Sequence, residues 1–164
     1  VQIDPDLTRI LKNKGFKTFD DVDKLSSEIL YLYTSNVLEH IEDDVEILCQ
    51  IKDALEAEHG ILVLYVPAHQ WLFSGLDESV GHFRRYSKKE LKDKVTSSGF
   101  DVIKVEYADT LGVIASLGIK LLGYNPGNGI GSLRSMYIYD KILHPLSKAL
   151  DFIGMKRIIG NNII

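Results

Sequence analysis

Residues 30–44 read LYLYTSNVLEHIEDD, and within this segment an apolar strand pattern gives way to the start of a helix. Asn36 interrupts the apolar run, and Glu39 and His40 follow just before the acidic residues 42–44. Carboxylates at that place favour the positive end of a helix dipole, although a solvated first turn with a cap explains them equally simply. Ligands of open α/β sheets bind beyond the carboxyl ends of the strands. The Glu39–His40 pair is therefore either part of a site or part of the scaffold.

The composition is that of a globular domain with one core. The chain has 164 residues, of which 45% are hydrophobic and 26% charged, and its mean hydropathy is close to zero. Its formal net charge of -4 argues against nucleic-acid binding, because proteins of that class usually carry a basic excess. We therefore expect a small-molecule partner.

The cysteine count and the hydropathy indicate where in the cell the protein is expected. Cys49 is the single cysteine, so neither a disulfide framework nor a thiolate metal cluster is available, which predicts a reducing cytoplasm. No apolar run reaches the roughly 20 residues that a membrane-spanning helix needs.

Strand-like and helical patterns alternate along the chain, which predicts a mainly parallel sheet covered by helices. A capping-box spacing at Ser87 and Glu90 predicts the start of one helix, which ends near Gly99. Region 110–155 is predicted to be a helical cap or insertion before the last strand, with a glycine-rich loop at 123–135 and a helix that Pro145 kinks or splits. The predicted strands are 1–3, 16–19, 29–35, 61–66, 101–107 and 158–164.

Four segments carry a resemblance to a known family. They read NVLEHIEDD at 36–44, VPA at 66–68, DESVGHFRRYS at 77–87 and GNN at 160–162. In order and spacing they resemble class I S-adenosylmethionine-dependent methyltransferases, specifically bacterial members with the patterns NVLEHIxDD, VPA, DxxxGHxRRYS and a late GxN. The resemblance covers nearly the whole chain. It implies a Rossmann-like α/β fold with a seven-stranded sheet, an antiparallel last strand, and S-adenosylmethionine over the carboxyl ends of the first strands.

The resemblance also implies residues that hold the cofactor. Asp4 matches the acidic residue that closes the second strand and binds the ribose hydroxyls, and a carboxylate can accept hydrogen bonds from both. Asp20 or Asp21 matches the position facing the adenine amine, and Asn36 begins the corner that faces the sulfonium. A helix cap is the alternative for Asp4, and a plain turn is the alternative for Asp20 and Asp21.

The glycine-rich loop that holds the methionine part of the cofactor has no counterpart here. The family places that loop after its first strand, and this sequence starts after the corresponding position. We therefore expect one incomplete methyltransferase domain over residues 1–164, truncated at both ends and doubtful in activity by itself. Residues 127–131, GNGIG, lack the flanking strand and helix of an anion-binding loop and are expected to form a connector.

Three residues are candidates for catalysis. His40 and His82 are candidate bases, because imidazole titrates near neutral pH, and Glu39 can accept a hydrogen bond from the acceptor or from the cofactor amine. Alternatively, His82 orders the turn after Gly81. The five histidines show no pairwise spacing typical of a metal site, so none is expected.

Substrate binding is assigned to Arg84, Arg85 and Tyr86, because two guanidinium groups can clamp an anionic acceptor. Alternatively, the arginines pair with an acidic helix face and Tyr86 packs under the capping box.

The sequence thus predicts methyl transfer to a small or saccharide-type acceptor, by resemblance in surface-polysaccharide metabolism. One alternative is a non-catalytic binding or scaffold domain derived from a methyltransferase, and another is a different doubly wound enzyme with a nucleotide cofactor. The late helices either cap the acceptor pocket, contact a membrane surface at its periphery, or simply pack on the core.

Overall fold

The computed structural model describes residues 5–15, 17–18, 22–24, 29–55, 59–123 and 137–164. Six α-helices and four strands lie in these ranges. The helices are α1 (Pro5–Asn13), α2 (Asp44–Ala54), α3 (Gly75–Ser79), α4 (Lys88–Ser97), α5 (Gly112–Leu122) and α6 (His144–Phe152). The strands are β1 (Tyr31–Ser35), β2 (Ile61–Pro67), β3 (Tyr107–Ala108) and β4 (Asn162–Ile163).

The four strands form one mixed sheet in the order β1-β2-β4-β3. β1 and β2 are parallel, with Tyr31 opposite Ile61 and Ser35 opposite Tyr65. β4 lies between β2 and β3 and is antiparallel to both. The α/β class and the antiparallel last strand are confirmed. The described sheet is mixed rather than mainly parallel, because the inserted β4 creates two antiparallel pairs beside one parallel pair.

Most long periodic segments form the predicted elements. β1, β2 and α4 lie where the sequence predicts them, and α5 lies in the predicted helical region 110–155. α1 is followed by Gly15 at a φ of 84°. Ser87 caps α4 by accepting a hydrogen bond from the amide of Glu90 at 3.1 Å, as its spacing predicts.

Two strand predictions are wrong over most of their length. Of 101–107 only Tyr107 enters a strand, and of 158–164 only residues 162–163 do. These two segments pair with each other over a short length: reciprocal hydrogen bonds of 2.9 Å between Glu106 and Ile164 extend the β3–β4 pairing by one residue, and Ile103, farther out, is 89% exposed. The predicted strand at 1–3 lies outside the described residues. In 16–19, Lys17 and Thr18 are described and are not in a strand.

The helical region after β3 changes type just before Pro145. A π-helical turn, Tyr139–Leu143, runs directly into α6, and the backbone stays helical at Leu143 and His144, so the chain is not split there. The altered hydrogen-bond pattern lies in the turn before Pro145, which has no amide donor. Residues 124–135 of the predicted glycine-rich loop lie outside the described ranges. In the described part of the chain, no helix is both long and apolar enough to cross a bilayer.

The core lies between β2, α2 and α4. β2 contributes Val66, which is fully buried, and Tyr86 packs beside it with its whole side chain out of water. Burying such side chains is the main stabilising contribution to the fold. The cluster comprises Leu38, Leu48, Leu64, Val66, Ala68, Tyr86, Leu91 and Ile163.

We expect Gly160→Ala to destabilise the protein by about 1–3 kcal/mol, the typical cost of overpacking. A Cβ at Gly160 would lie 2.5 Å from the carbonyl oxygen and 2.8 Å from the amide nitrogen of Ala108, so β3 and β4 would have to separate. The matched control is Gly118→Ala in α5, where a Cβ meets open space and alanine is the better helix former. Urea unfolding measures both variants, and an equal loss of stability in the two would contradict this account.

Candidate functional site

The chain turns sharply at the carboxyl end of β1, where the candidate site begins. Asn36 has a φ of 50°, a left-handed conformation that asparagine tolerates better than most residues. Its amide still donates to the carbonyl of Tyr65 at 2.8 Å, so the parallel ladder continues to this residue. A 3-10 turn, Leu38–His40, then carries the side chain of Glu39 into the interior, where it is 0% exposed.

The second motif segment docks onto this turn. Gly81 has a φ of 82°, and two residues later the amide of Phe83 donates to the carbonyl of Glu39 at 2.8 Å. This contact brings His82 to the turn: its Nε2 lies 3.7 Å from Oε1 of Glu39, and its ring meets that of His40 edge-on with centroids 4.5 Å apart. Glu39, His40 and His82, called here the carboxylate–histidine cluster, are thus assembled from two distant parts of the sequence.

Asp77 orients His82. Its Oδ1 lies 3.0 Å from Nδ1 of His82, so the Nε2 of His82 is directed toward Glu39. Burial opposes ionisation of Asp77, but hydrogen bonds from His82, from Arg85 and from the amide of Ser74 outweigh it and lower its pKa to about 2. Asp77 is therefore an ionised, buried anchor for the imidazole. It was not among the predicted site residues, although it begins the DxxxGHxRRYS motif.

The carboxylate of Glu39 has an unusual environment. Both of its oxygens are buried, and neither has a hydrogen-bond partner among the described residues. Burial raises the pKa of Glu39, and its own backbone amide, together with the neighbouring His82 and Arg85, opposes that rise without cancelling it. An ionised carboxylate in this position costs several kcal/mol unless a cation compensates it. The site is therefore suited to a positively charged ligand.

Burial and the neighbouring His82 lower the pKa of His40, while a hydrogen bond to the backbone of Gly81 opposes this. The neutral imidazole is the form that can accept a proton or bind a metal ion.

Arg85 is held within the fold. It is 5% exposed, and its Nε donates to Asp77 at 2.8 Å. Its Nη1 reaches the side-chain oxygen of Asn161 at 3.3 Å and the carbonyl of Ala68 at 3.5 Å. Arg85 thereby joins the ends of β2 and β4 to the anchor of His82. Its predicted role in acceptor binding stays a prediction.

Arg84 and Tyr86 converge on Asp44, the first residue of α2. Arg84 pairs with Asp44 at 2.7 Å, the Tyr86 hydroxyl donates to it at 2.8 Å, and Lys94 approaches within 2.6 Å. Burial opposes ionisation of Asp44, but the hydrogen bonds from Lys94, Arg84 and Tyr86 prevail and lower its pKa. For Arg84, the structure shows the alternative arrangement, pairing with the acidic start of a helix.

A second polar cluster, missed in the sequence, fastens the helical region to β3. Asp109, at a φ of 60°, accepts hydrogen bonds from the hydroxyls of Tyr139 and Ser147. Asp151 in α6 accepts from the amide of Asp109 at 2.9 Å and from the Thr110 hydroxyl. These bonds use both carboxylates internally, so the cluster has a structural role.

The predicted cofactor residues are only partly placed. Asn36 is exposed at the carboxyl end of β1, beside the carboxylate–histidine cluster. Asp4, Asp20 and Asp21 lie outside the described residues, and so do residues 127–131. The structure therefore joins Glu39, His40 and His82 and leaves the ribose and adenine contacts as predictions.

Comparison with known proteins identifies no family for this chain. No family model matches the chain, and no curated protein matches it.

We expect Asp44→Asn to destabilise the protein by about 3 kcal/mol at pH 7, because it leaves Lys94 and Arg84 without their shared carboxylate. The pKa of Asp44 is lowered in the folded state, so its stabilisation is complete above its unfolded pKa of about 4 and is lost as the pH falls through the folded pKa. The difference from wild type should therefore shrink in acid.

The matched control for this prediction is Asp43→Asn, since Asp43 caps α2 by accepting from the amide of Glu46 and asparagine caps equally well. Urea unfolding across pH measures both variants. A pH-independent loss in Asp44→Asn would contradict the assignment of an ionised Asp44.

Proposed function

We propose that this chain is an S-adenosylmethionine-dependent methyltransferase domain whose acceptor is a small or saccharide-type molecule. The observation that supports the proposal best is the contact between segments 36–44 and 77–87. These are two of the four segments that carry the family resemblance, and they meet through the Phe83–Glu39 hydrogen bond and the Arg84–Asp44 ion pair. They meet just beyond the carboxyl end of β1, where open α/β folds place their ligands.

The proposed reaction is an in-line displacement. The acceptor oxygen or nitrogen forms a bond to the methyl carbon as the carbon–sulfur bond breaks, and the acceptor loses a proton. The protein must align the reactants and provide a group that takes this proton. His82, oriented by Asp77, and His40, beside it, are the candidate bases of the described site.

The residues in place suit a cationic cofactor. S-adenosylmethionine carries a sulfonium and an ammonium group, and Glu39 presents a buried carboxylate whose oxygens have no hydrogen-bond partner in the described part of the chain. We assign Glu39 to this end of the cofactor, next to Asn36. Asp4, with Asp20 or Asp21, remains our proposal for the ribose and adenine contacts.

We assign a role other than acceptor binding to Arg84, Arg85 and Tyr86. Because their polar groups contact Asp44, Asp77 and Asn161, we assign them to positioning the carboxylate–histidine cluster rather than to clamping an anionic acceptor. The same observation favours the second candidate, a binding or scaffold domain that keeps the methyltransferase framework without catalysis. The proposed link to surface-polysaccharide metabolism and to a cytoplasmic location depends on the sequence alone.

Calorimetry with S-adenosylhomocysteine, on the protein at its full natural length, separates the two candidates. The proposal expects saturable binding, together with transfer of a labelled methyl group to members of a saccharide panel. Absence of both would favour the scaffold role.

The variant His82→Gln tests the site directly. We expect turnover to fall by about 100- to 10,000-fold, the usual contribution of a positioned base, while the affinity for S-adenosylhomocysteine changes only a few-fold. The control is His144→Gln, an exposed histidine in α6 far from the cluster in sequence, which should keep full turnover. Equal turnover in the two variants would remove His82 from the mechanism.

A further inference from the structure

We propose that Glu39, His40 and His82 form a binding site for a divalent transition-metal ion. One ligand atom from each residue can be chosen so that all three lie within 4.8 Å of one another. The Nε2 of His82 and Oε1 of Glu39 are 3.7 Å apart. The three donors therefore lie close together beyond the carboxyl end of β1.

The donor set is typical of metal centres that bind substrate or water. Two imidazoles and one carboxylate form the protein part of many catalytic zinc sites and of the facial triads that hold iron. Such sites keep at least one coordination position for an outside oxygen or nitrogen ligand. Each neutral imidazole can present a lone pair to a metal ion.

The cluster can close around an ion with small movements. With bonds of about 2.0–2.2 Å, neighbouring ligand atoms of a tetrahedral zinc site lie about 3.3–3.6 Å apart. The observed limit of 4.8 Å thus requires contraction by at most about 1.5 Å.

The second ring nitrogen of His82 already has the partner that metal ligands use. Histidines that bind metals almost always donate their other ring N–H to a carboxylate or a backbone carbonyl. The Nδ1 of His82 lies 3.0 Å from the carboxylate of Asp77. Asp77 is itself fixed by Arg85 and by the amide of Ser74. His82 is therefore oriented in the way that metal-binding histidines are.

The independent observation that points to a ligand is the buried carboxylate of Glu39. It is 0% exposed and faces His82, and its two oxygens lack hydrogen-bond partners within the described ranges. A scaffold residue in such a place would be expected to make internal hydrogen bonds. A bound cation supplies the missing partner.

The spacing of the histidines along the chain does not indicate a metal site. Spacing rules detect ligands that one helix or one loop brings together. Here the 3-10 turn provides Glu39 and His40, and a segment more than forty residues later provides His82, so only the folded chain assembles the set.

The metal site is separable from methyl transfer. An imidazole that binds the ion cannot also act as a base, so in the metal-loaded protein His40 and His82 are ligands; what this means for turnover rests on the proposed function. Metal binding itself is measured without cofactor or acceptor. Its failure would leave the acid–base roles intact, and failure of methyl transfer would leave the metal site intact.

Calorimetric titration of the full chain with Zn²⁺ and with Co²⁺ tests the proposal. We expect saturable binding of one ion per chain, weakened at least about 100-fold in Glu39→Gln, His40→Gln and His82→Gln. The controls, His144→Gln and Cys49→Ser, remove an exposed histidine and the exposed thiol and should bind like wild type. Absence of saturable binding, or undiminished binding by His82→Gln, would overturn the proposal.

A measurement on the wild-type protein covers the case in which a variant fails to fold. X-ray absorption of the zinc-loaded chain should show two imidazoles with oxygen ligands and no sulfur. Sulfur in the coordination sphere would assign the ion to Cys49 and reject the cluster. Glu39→Gln adds a second test: added Zn²⁺ should raise the melting temperature of the wild type and leave that of Glu39→Gln unchanged.

Discussion

The carboxylate of Asp77 is the contact on which the rest of the site depends. It accepts hydrogen bonds from the ring of His82, the guanidinium of Arg85 and the amide of Ser74, which belong to different parts of one loop. Three donors keep it ionised despite its burial, and an ionised carboxylate is what fixes an imidazole in one orientation. Without this anchor, the direction of His82 toward Glu39 would not be determined.

Arg85 connects Asp77 to the sheet. The guanidinium reaches the carbonyl of Ala68, just after β2, and the side chain of Asn161, just before β4. Ala68 and Asn161 are also joined directly, by an amide-to-carbonyl hydrogen bond of 2.8 Å. The insertion of β4 beside β2 and the formation of the site are therefore parts of one network. The motif residues that look like ligand contacts in the sequence here mainly connect the site to the fold.

A structural feature could be predicted from the sequence when a short segment of the chain encodes it. Helix α4 and strand β2 were predictable, because a cap or an unbroken apolar run encodes each within about ten residues. Segment 101–107 was not, because alternation shows that a strand is possible and says nothing of how long its partner is. Glu39, His40 and His82 were recognised one by one, but their convergence depends on the left-handed Asn36 and on the docking of Phe83, which no spacing rule contains. Asp77 was overlooked because its importance lies in the number of donors that it meets.

The hydrogen bonds from Arg85 to the ends of both strands have a consequence for how long the protein persists in the cell. A ligand held by the carboxylate–histidine cluster would stabilise the entire domain by mass action, by about 2.7 kcal/mol when it is present at 100 times its dissociation constant. Chains without ligand would open more often and reach proteases sooner. The cellular amount of this protein would then follow the supply of whatever it binds.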